Sequence, residues 1–318
     1  MNTIIINGLA FSLPLLAMAL SGIYSERSGI TNLAVEGFQG FGAFTGAFCA
    51  ILLQRALGNS NLPFYAALLI SFLGGCLFAM LHALMCIKFK ANQVISGVVI
   101  NIFATALTAY MTKSFNRTLF GETSDKFVLN VAPRFDVPLL SKLPGIGEIF
   151  SKVYVFEPII IVVVFVGWFV MYKTRFGMYM RACGDNPQAV DAAGINVAKI
   201  RYISVAISGG FAGLGGICYA YSISSNFSAN IYSGYGYLAI AALIFGNWNI
   251  LPTLGACLLF GIARSAGYQI VMMAELPSTY QDVIMILPYV LTLIMLMFFS
   301  KKNQSPKALG VAYDKGSR

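Results

Sequence analysis

The sequence predicts an all-α polytopic membrane protein with about nine or ten transmembrane helices. Three observations lead there. Of 318 residues, 58% are hydrophobic and 10% charged, against about 25% charged in soluble domains. The mean hydropathy is +0.76. Apolar runs recur at 3–22, 30–53, 64–87, 94–111, 153–172, 202–223, 237–248, 253–273 and 280–299, and most are near the ~20 residues a helix needs to cross a bilayer core. A soluble globule of this length needs a charged skin that 21 basic and 12 acidic residues cannot supply.

The first run ends near Ala17-Met18-Ala19, which resembles a leader cleavage site. No basic residue precedes it, so it reads as a span rather than a signal peptide. The run at 30–53 is interrupted by Gly37, Gly40, Gly42 and Gly46, and the run at 237–248 is short, so each reads as a kinked span or a half-helix. Gly42 and Gly46, like Gly209 and Gly213, have the four-residue spacing that lets helices pack closely. The Gly-interrupted stretches 29–46 and 234–246 lie in opposite halves of the chain, as repeats around a transport path often do. Between the runs lie an outer loop at 112–152, with Pro133, Pro138 and Pro144 and no helical period, and a second polar segment at 173–201. Residues 1–300 thus form one membrane domain, and 301–318 read as a polar, mobile tail.

Basic residues fix the predicted orientation. With the tail in the cytoplasm, the inner segments carry 13 Lys and Arg, including Arg27, Lys88, Lys90, Lys173, Arg175, Arg181, Lys199 and Arg201. The outer segments carry 7, six of them in the long loop, and long loops weigh less in this bias. Nine crossings place the N terminus outside and ten place it inside. The basic residues sit at the ends of apolar runs rather than on one polar face, so the +9 net charge does not point to nucleic acid.

The chemistry-bearing residues are few. His82 is the single histidine and lies in an apolar run, where it reads as a hydrogen-bonded helix residue rather than a metal ligand. The six cysteines form no CxxC pair and read as small buried side chains. There is no catalytic motif, no metal set and no phosphate-binding loop. The reading is a chain that is no enzyme and binds no cofactor itself.

The segment 173–201 carries clear helix punctuation. Gly184 can end one helix, Asn186 is a good N-cap, Pro187 suits the first helical turn, and Gly194 can close the next helix in the left-handed conformation. Pro187 to Ala193 is then a short, alanine-faced helix, and it is either a connector or a knob that docks in a partner's groove.

This loop, Arg181-Ala182-Cys183-Gly184-Asp185-Asn186-Pro187-Gln188-Ala189-Val190-Asp191-Ala192-Ala193-Gly194-Ile195, resembles the coupling loop of bacterial ABC importer permeases of the branched-chain amino acid, simple sugar and nucleoside family. The block from Glu26 to Gly37 is similar to that of its nucleoside and simple-sugar branch. Ile240 to Trp248 resembles the block before the next-to-last span, with Phe245 and Asn247 the looser matches. The resemblance covers roughly 10–300. It implies a type II ABC importer permease-like bundle in the bacterial cytoplasmic membrane. It also implies a second permease subunit, either a copy or a relative, ABC ATPase subunits that carry ATP and Mg, and an extracytoplasmic solute-binding protein. Arg181, Gly184, Asp185, Asn186, Pro187, Ala189, Ala192, Ala193 and Gly194 would form the ATPase-coupling loop.

Glu36 and Arg264 are the charges placed deep in spans, where an ion is costly without partners or water. Counted from inner ends their depths differ by only about 8 Å at ~1.5 Å per residue. They either pair as a buried polar lock or line a wet path with Asn32, Gln39 and Asn101. The reading is the permease subunit of an ATP-driven importer of a nucleoside or simple sugar. The alternative is an ion-coupled secondary transporter, for which Glu36 is the one acid placed to couple.

Overall fold

Among the described residues, seven helices are long and apolar enough to cross a membrane. The computed structural model describes residues 2–58, 60–138, 141, 147–230, 233–275, 286, 289–290, 294 and 304–315. The order is α1 (Asn2–Glu26), α2 (Val35–Leu57), α3 (Leu62–Ala83), α4 (Gln93–Phe115), β1 (Phe127–Val128), α5 (Phe156–Lys173), α6 (Arg175–Asp185), α7 (Pro187–Ala192), α8 (Val197–Tyr219), β2 (Asn226–Phe227), α9 (Tyr235–Phe245) and α10 (Ile250–Met273). α3, α4 and α8 each end in a wider π turn, at Leu84–Lys88, Asn116–Phe120 and Ala220–Ser224. The seven spans are α1 to α5, α8 and α10. α9, at 11 residues, is a half-helix. The run at 280–299 lies almost wholly outside the described residues.

α8 and α1 form the centre. Over their most apolar stretches 83% and 72% of residues are buried, against 28–39% for the other spans. The first run therefore packs at the heart of the bundle. Glycines let α8 approach its neighbours backbone to backbone. A side chain at Gly209 would meet the Gly75 carbonyl of α3, and one at Gly42 of α2 would stand 2.4 Å from the Cα of Gly213. Dispersion between close-packed backbones holds such contacts where apolar burial gains nothing from lipid. Outward faces of α3, α4 and α5 carry exposed Leu, Ile, Val and Phe, as a lipid-facing surface does.

The loop at 112–152 begins later than its sequence suggests, because the helix continues to Phe120. Beyond it, β1 pairs antiparallel with β2, Phe127 facing Phe227, and tethers the loop to the segment after α8. Phe44, Phe48, Phe115, Phe127 and Phe227 cluster beneath that pair. At the same end, Asn7 near the start of α1 shares a cavity with the loop residue Arg134. Residues 304–315 lie at the opposite end, against α6. Asn7 and residues 304–315 thus lie at opposite ends of the described bundle.

The tail departs from expectation. Its described residues do not trail away but cross the α6–α7 end of the bundle. The Ala308 N–H donates to the Gly184 carbonyl at 2.8 Å, and the Gly310 N–H to the Gly29 carbonyl at 3.2 Å. Backbone donors do this work, and backbone donors leave no trace in composition.

Candidate functional site

The predicted coupling loop folds as its punctuation requires. Asn186 caps α7, its Oδ1 accepting from the Ala189 N–H at 3.0 Å, with Pro187 in the first turn. Gly194 sits at φ +79°, a left-handed conformation that glycine adopts without strain. Pro187 and Val190 are buried, while Gln188, Ala189, Ala192, Ala193 and Gly194 are exposed. Asp185 and Asn186 are exposed beside them, so one face of α7 is smooth and free. Gly184 differs from its predicted role. It does not end a helix, since α6 runs on to Asp185. It is small because a side chain there would lie 2.3 Å from the Arg27 carbonyl. Arg181 turns back onto α5, donating to the Met171 carbonyl and stacking over Tyr172. Burial pushes the Cys183 thiol up to about 11, so it stays neutral as small apolar filling.

Beside this loop is a hub that sequence reasoning passed over. Glu26, at the end of α1, is 5% exposed. Its Oε2 accepts from the Trp248 indole N–H at 2.5 Å and its Oε1 from the Asn32 N–H at 3.3 Å. Arg27 Nε donates to the Trp248 carbonyl at 3.0 Å, and the Asn249 side chain accepts from the Tyr172 hydroxyl at 3.2 Å. Arg201 of α8 donates to the Ser28 carbonyl at 3.0 Å. The turn so held has Asn247 and Trp248 at φ 50° and 54°. A bulky residue there is strained by about 1–3 kcal/mol and persists only when its surroundings over-determine it. The hub joins α1, α5, α8 and the α9–α10 turn. The Glu26 block and Trp248 were visible as motifs, but their meeting across 222 residues was not.

In the middle of the bundle Glu36 and Arg264 do not pair. Glu36 Oε1 accepts from the Gly234 N–H at 3.0 Å. Arg264 donates to the Tyr235 hydroxyl at 2.7 Å and lies over the Phe11 and Tyr235 rings. The two charges hold consecutive residues at the start of the half-helix α9 rather than each other. α9 begins between them because its N-terminal turn offers a free N–H to Glu36. Asn101 is bonded on both sides, accepting from the Gly37 N–H at 2.7 Å and donating to the Leu33 carbonyl at 2.7 Å and to Tyr237. It locks α4 to α2. The others differ. Glu36 Oε2, Asn32 Oδ1 and both amide atoms of Gln39 are buried with no partner among the described residues. Buried polar atoms left so cost about 1–3 kcal/mol each unless water or a ligand meets them.

A cavity of about 220 Å³ leads from the outer-loop end to this level, lined by Asn7, Phe11, Arg134, Tyr154, Ser222 and Arg264. Ser222 Oγ is another buried polar atom without a partner. His82 is satisfied as expected, by the Ser96 hydroxyl at 2.9 Å and the Thr31 carbonyl at 3.1 Å.

The comparisons with known proteins agree with this architecture. Residues 4–297 match the family described as branched-chain amino acid transport system / permease component. The chain belongs to this family. It is a multi-pass membrane permease component of an ABC transport system, which decides against a stand-alone ion-coupled carrier. It is 38% identical to the guanosine ABC transporter permease protein NupQ of Bacillus subtilis (strain 168), over 98% of this chain and 96% of that one. It is 37% identical to the nucleoside ABC transporter permease protein NupC of Lactococcus lactis subsp. cremoris (strain MG1363), over 99% and 98%. The putative glucose ABC transporter permease protein TsgC13 of Haloferax volcanii is 32% identical over 78% of this chain and 71% of its own length. No solved structure gave a significant match.

Proposed function

We propose that this permease imports a nucleoside. It works in the bacterial cytoplasmic membrane with a second permease subunit, a pair of ABC ATPases that bind ATP and Mg, and an extracytoplasmic solute-binding protein. The observation that carries the cargo reading is the near end-to-end similarity to two permeases named for guanosine and nucleoside transport. A simple sugar is the second reading, favoured by the relative named for glucose.

The tail and α6–α7 occupy the cytoplasmic side in this reading, where the basic residues collect. The exposed face formed by Ala189, Ala192 and Ala193 docks in the ATPase groove, and small side chains there let a partner approach closely. The hub of Glu26, Arg27 and Trp248 passes its motion to α1, α5, α8 and the half-helix α9. Movement of α9 shifts Gly234 and Tyr235, and with them Glu36 and Arg264. The unpartnered atoms of Asn32, Glu36, Gln39 and Ser222 suit the hydroxyls and ring nitrogens of a passing nucleoside.

The test is uptake into proteoliposomes holding the permease, its ATPase and its binding protein. ATP-dependent guanosine uptake that excess glucose does not compete supports the nucleoside reading. Glucose competition with no nucleoside uptake overturns it. A chain lacking 185–194 should insert yet fail to recover the ATPase, and normal uptake by that variant would sink the role given to α7.

A further inference from the structure

We propose that residues 304–315 form a latch that ties the coupling helix α7 to the ends of the spans, so that ATP hydrolysis drives transport only when the latch is seated. This rests on the reading of α7 as the ATPase contact.

The latch touches α6, α7, α8 and the turns after α1, α3 and α9. Its Gln304 N–H donates to Asn247 Oδ1 at 2.7 Å, on the strained α9–α10 turn. Pro306 is buried beside Gly184. Ala308 and Gly310 bond to Gly184 and to Gly29, which joins α6 to the turn after α1. Arg201 of α8, which holds Ser28, also reaches the Val311 carbonyl at 3.4 Å. Two ion pairs close the far end: Lys90, after α3, to Asp314 at 2.7 Å, and Lys315 to Asp191 of α7 at 3.7 Å.

The strength of these contacts suits a latch rather than a permanent brace. The Lys90 and Asp314 side chains are about half exposed, at 45% and 54%, and Lys315 is 82% exposed. Exposed pairs are each worth roughly 0–1 kcal/mol. The contacts are many and individually weak, so the segment can lift and reseat. α7 by itself is lightly held, with Pro187 and Val190 as its buried residues. The latch and the end of α7 together line an open cleft of about 560 Å³, with Lys90, Tyr313, Asp314, Asp191 and Gly194 around it, which leaves space beside the Asp191 contacts for the end of α7 to shift. Without the latch, the hub and the Arg181 contacts alone carry the motion, and α7 can shift within the cleft before the spans follow.

The experiment uses the whole importer in proteoliposomes, with ATPase recovery, ATP turnover and solute imported per ATP measured together. Three changes are compared: deletion of 304–318, Gly310→Val, and Lys90→Glu with and without Asp314→Lys. Gly310 stands at φ +79°, so valine there unseats the latch without touching a charge. The expected result is normal ATPase recovery for all, with solute per ATP down at least about fivefold for the deletion and for Gly310→Val, the low end of coupling between sites. Lys90→Glu should lower the ratio about twofold, the scale of one exposed pair, and Asp314→Lys should restore it. An unchanged ratio in the deletion overturns the latch, and so does a charge swap that fails to restore it. Loss of ATPase recovery on deletion also overturns it, by making the segment a docking surface. If the deleted chain does not run as a single species, Gly310→Val and the swap decide between latch and no latch. Normal ATPase recovery by the chain lacking 185–194 would count against α7 alone.

Discussion

Two glutamates, the buried Glu26 at the end of α1 and the half-buried Glu36 at the start of α2, live under different rules. Glu26 has both oxygens bonded, one to Trp248 and one to the Asn32 N–H. Glu36 has one oxygen on the Gly234 N–H and the other with no partner among the described residues. The first is a finished joint, in which α1 and the α9–α10 turn are fixed because every acceptor is used. The second is unfinished, and an ionisable residue inside a membrane protein is by default a functional-site hypothesis. In the proposed reading, satisfaction rather than depth or charge separates the residues that hold this permease together from those assigned to its path.

That rule is broken most directly at Glu26. Glu26→Ala strands the Trp248 indole N–H and the Asn32 N–H in a buried site and leaves two left-handed residues unsupported. The expected loss is about 2–5 kcal/mol, summing two orphaned donors, read as a lowered melting temperature of the detergent-solubilised protein. If Glu26→Ala melts with the unchanged protein, the joint is not one. Asn101 sharpens the rule because it lies at the level of Glu36 yet is fully bonded. Asn101→Leu should therefore behave like the joint, costing about 2 kcal/mol of stability through the abandoned Gly37 N–H and Leu33 carbonyl. Should it instead keep full stability and lose only transport, depth would matter more than satisfaction.

Glu36→Gln is the opposite case. Its amide oxygen still accepts from Gly234, so stability should change by less than about 1 kcal/mol. ATP-driven uptake should fall about tenfold or more, since the change removes a charge whose free oxygen faces the path and since about 1.4 kcal/mol at the barrier is already tenfold. Comparable uptake at unchanged stability would remove Glu36 from the path.

How much of this was legible depends on how far each partner lies along the chain. α7 was readable almost to the residue, because Asn186, Pro187 and Gly194 act within one turn of themselves. The spans were readable because apolar length is local too, and the half-helix α9 showed as a short run. The failures are long-range. Glu26 and Arg27 look like ordinary charges at a helix end, and nothing nearby announces Trp248. Glu36 and Arg264 were placed at similar depth, but depth is one coordinate, and the start of α9 stands between them as partner to both. Gly184 looked like a helix stop because its close neighbour, the Arg27 carbonyl, is distant in sequence. The tail looked mobile because its composition is polar, whereas backbone N–H groups of Ala308 and Gly310 dock it.

Gln39 gives the finest test. It is fully buried, and neither its amide oxygen nor its nitrogen has a partner among the described residues. A residue kept for the fold would not leave both ends of an amide unpaired in the centre of a bundle. Gln39→Met keeps the length and replaces the amide by a flexible apolar end that fills irregular space. If water serves the amide only when the path is open, the methionine should be neutral or stabilising by about 1 kcal/mol, because it removes a desolvated group without stranding any protein donor. Uptake should fall nonetheless, with KM for the loaded binding protein unchanged, since Gln39 lies inside the bundle and not on its outer face. A destabilised Gln39→Met permease would mean that the amide is bonded in the resting state after all, and the contrast between the finished and unfinished glutamates would then have to rest on Glu36 alone.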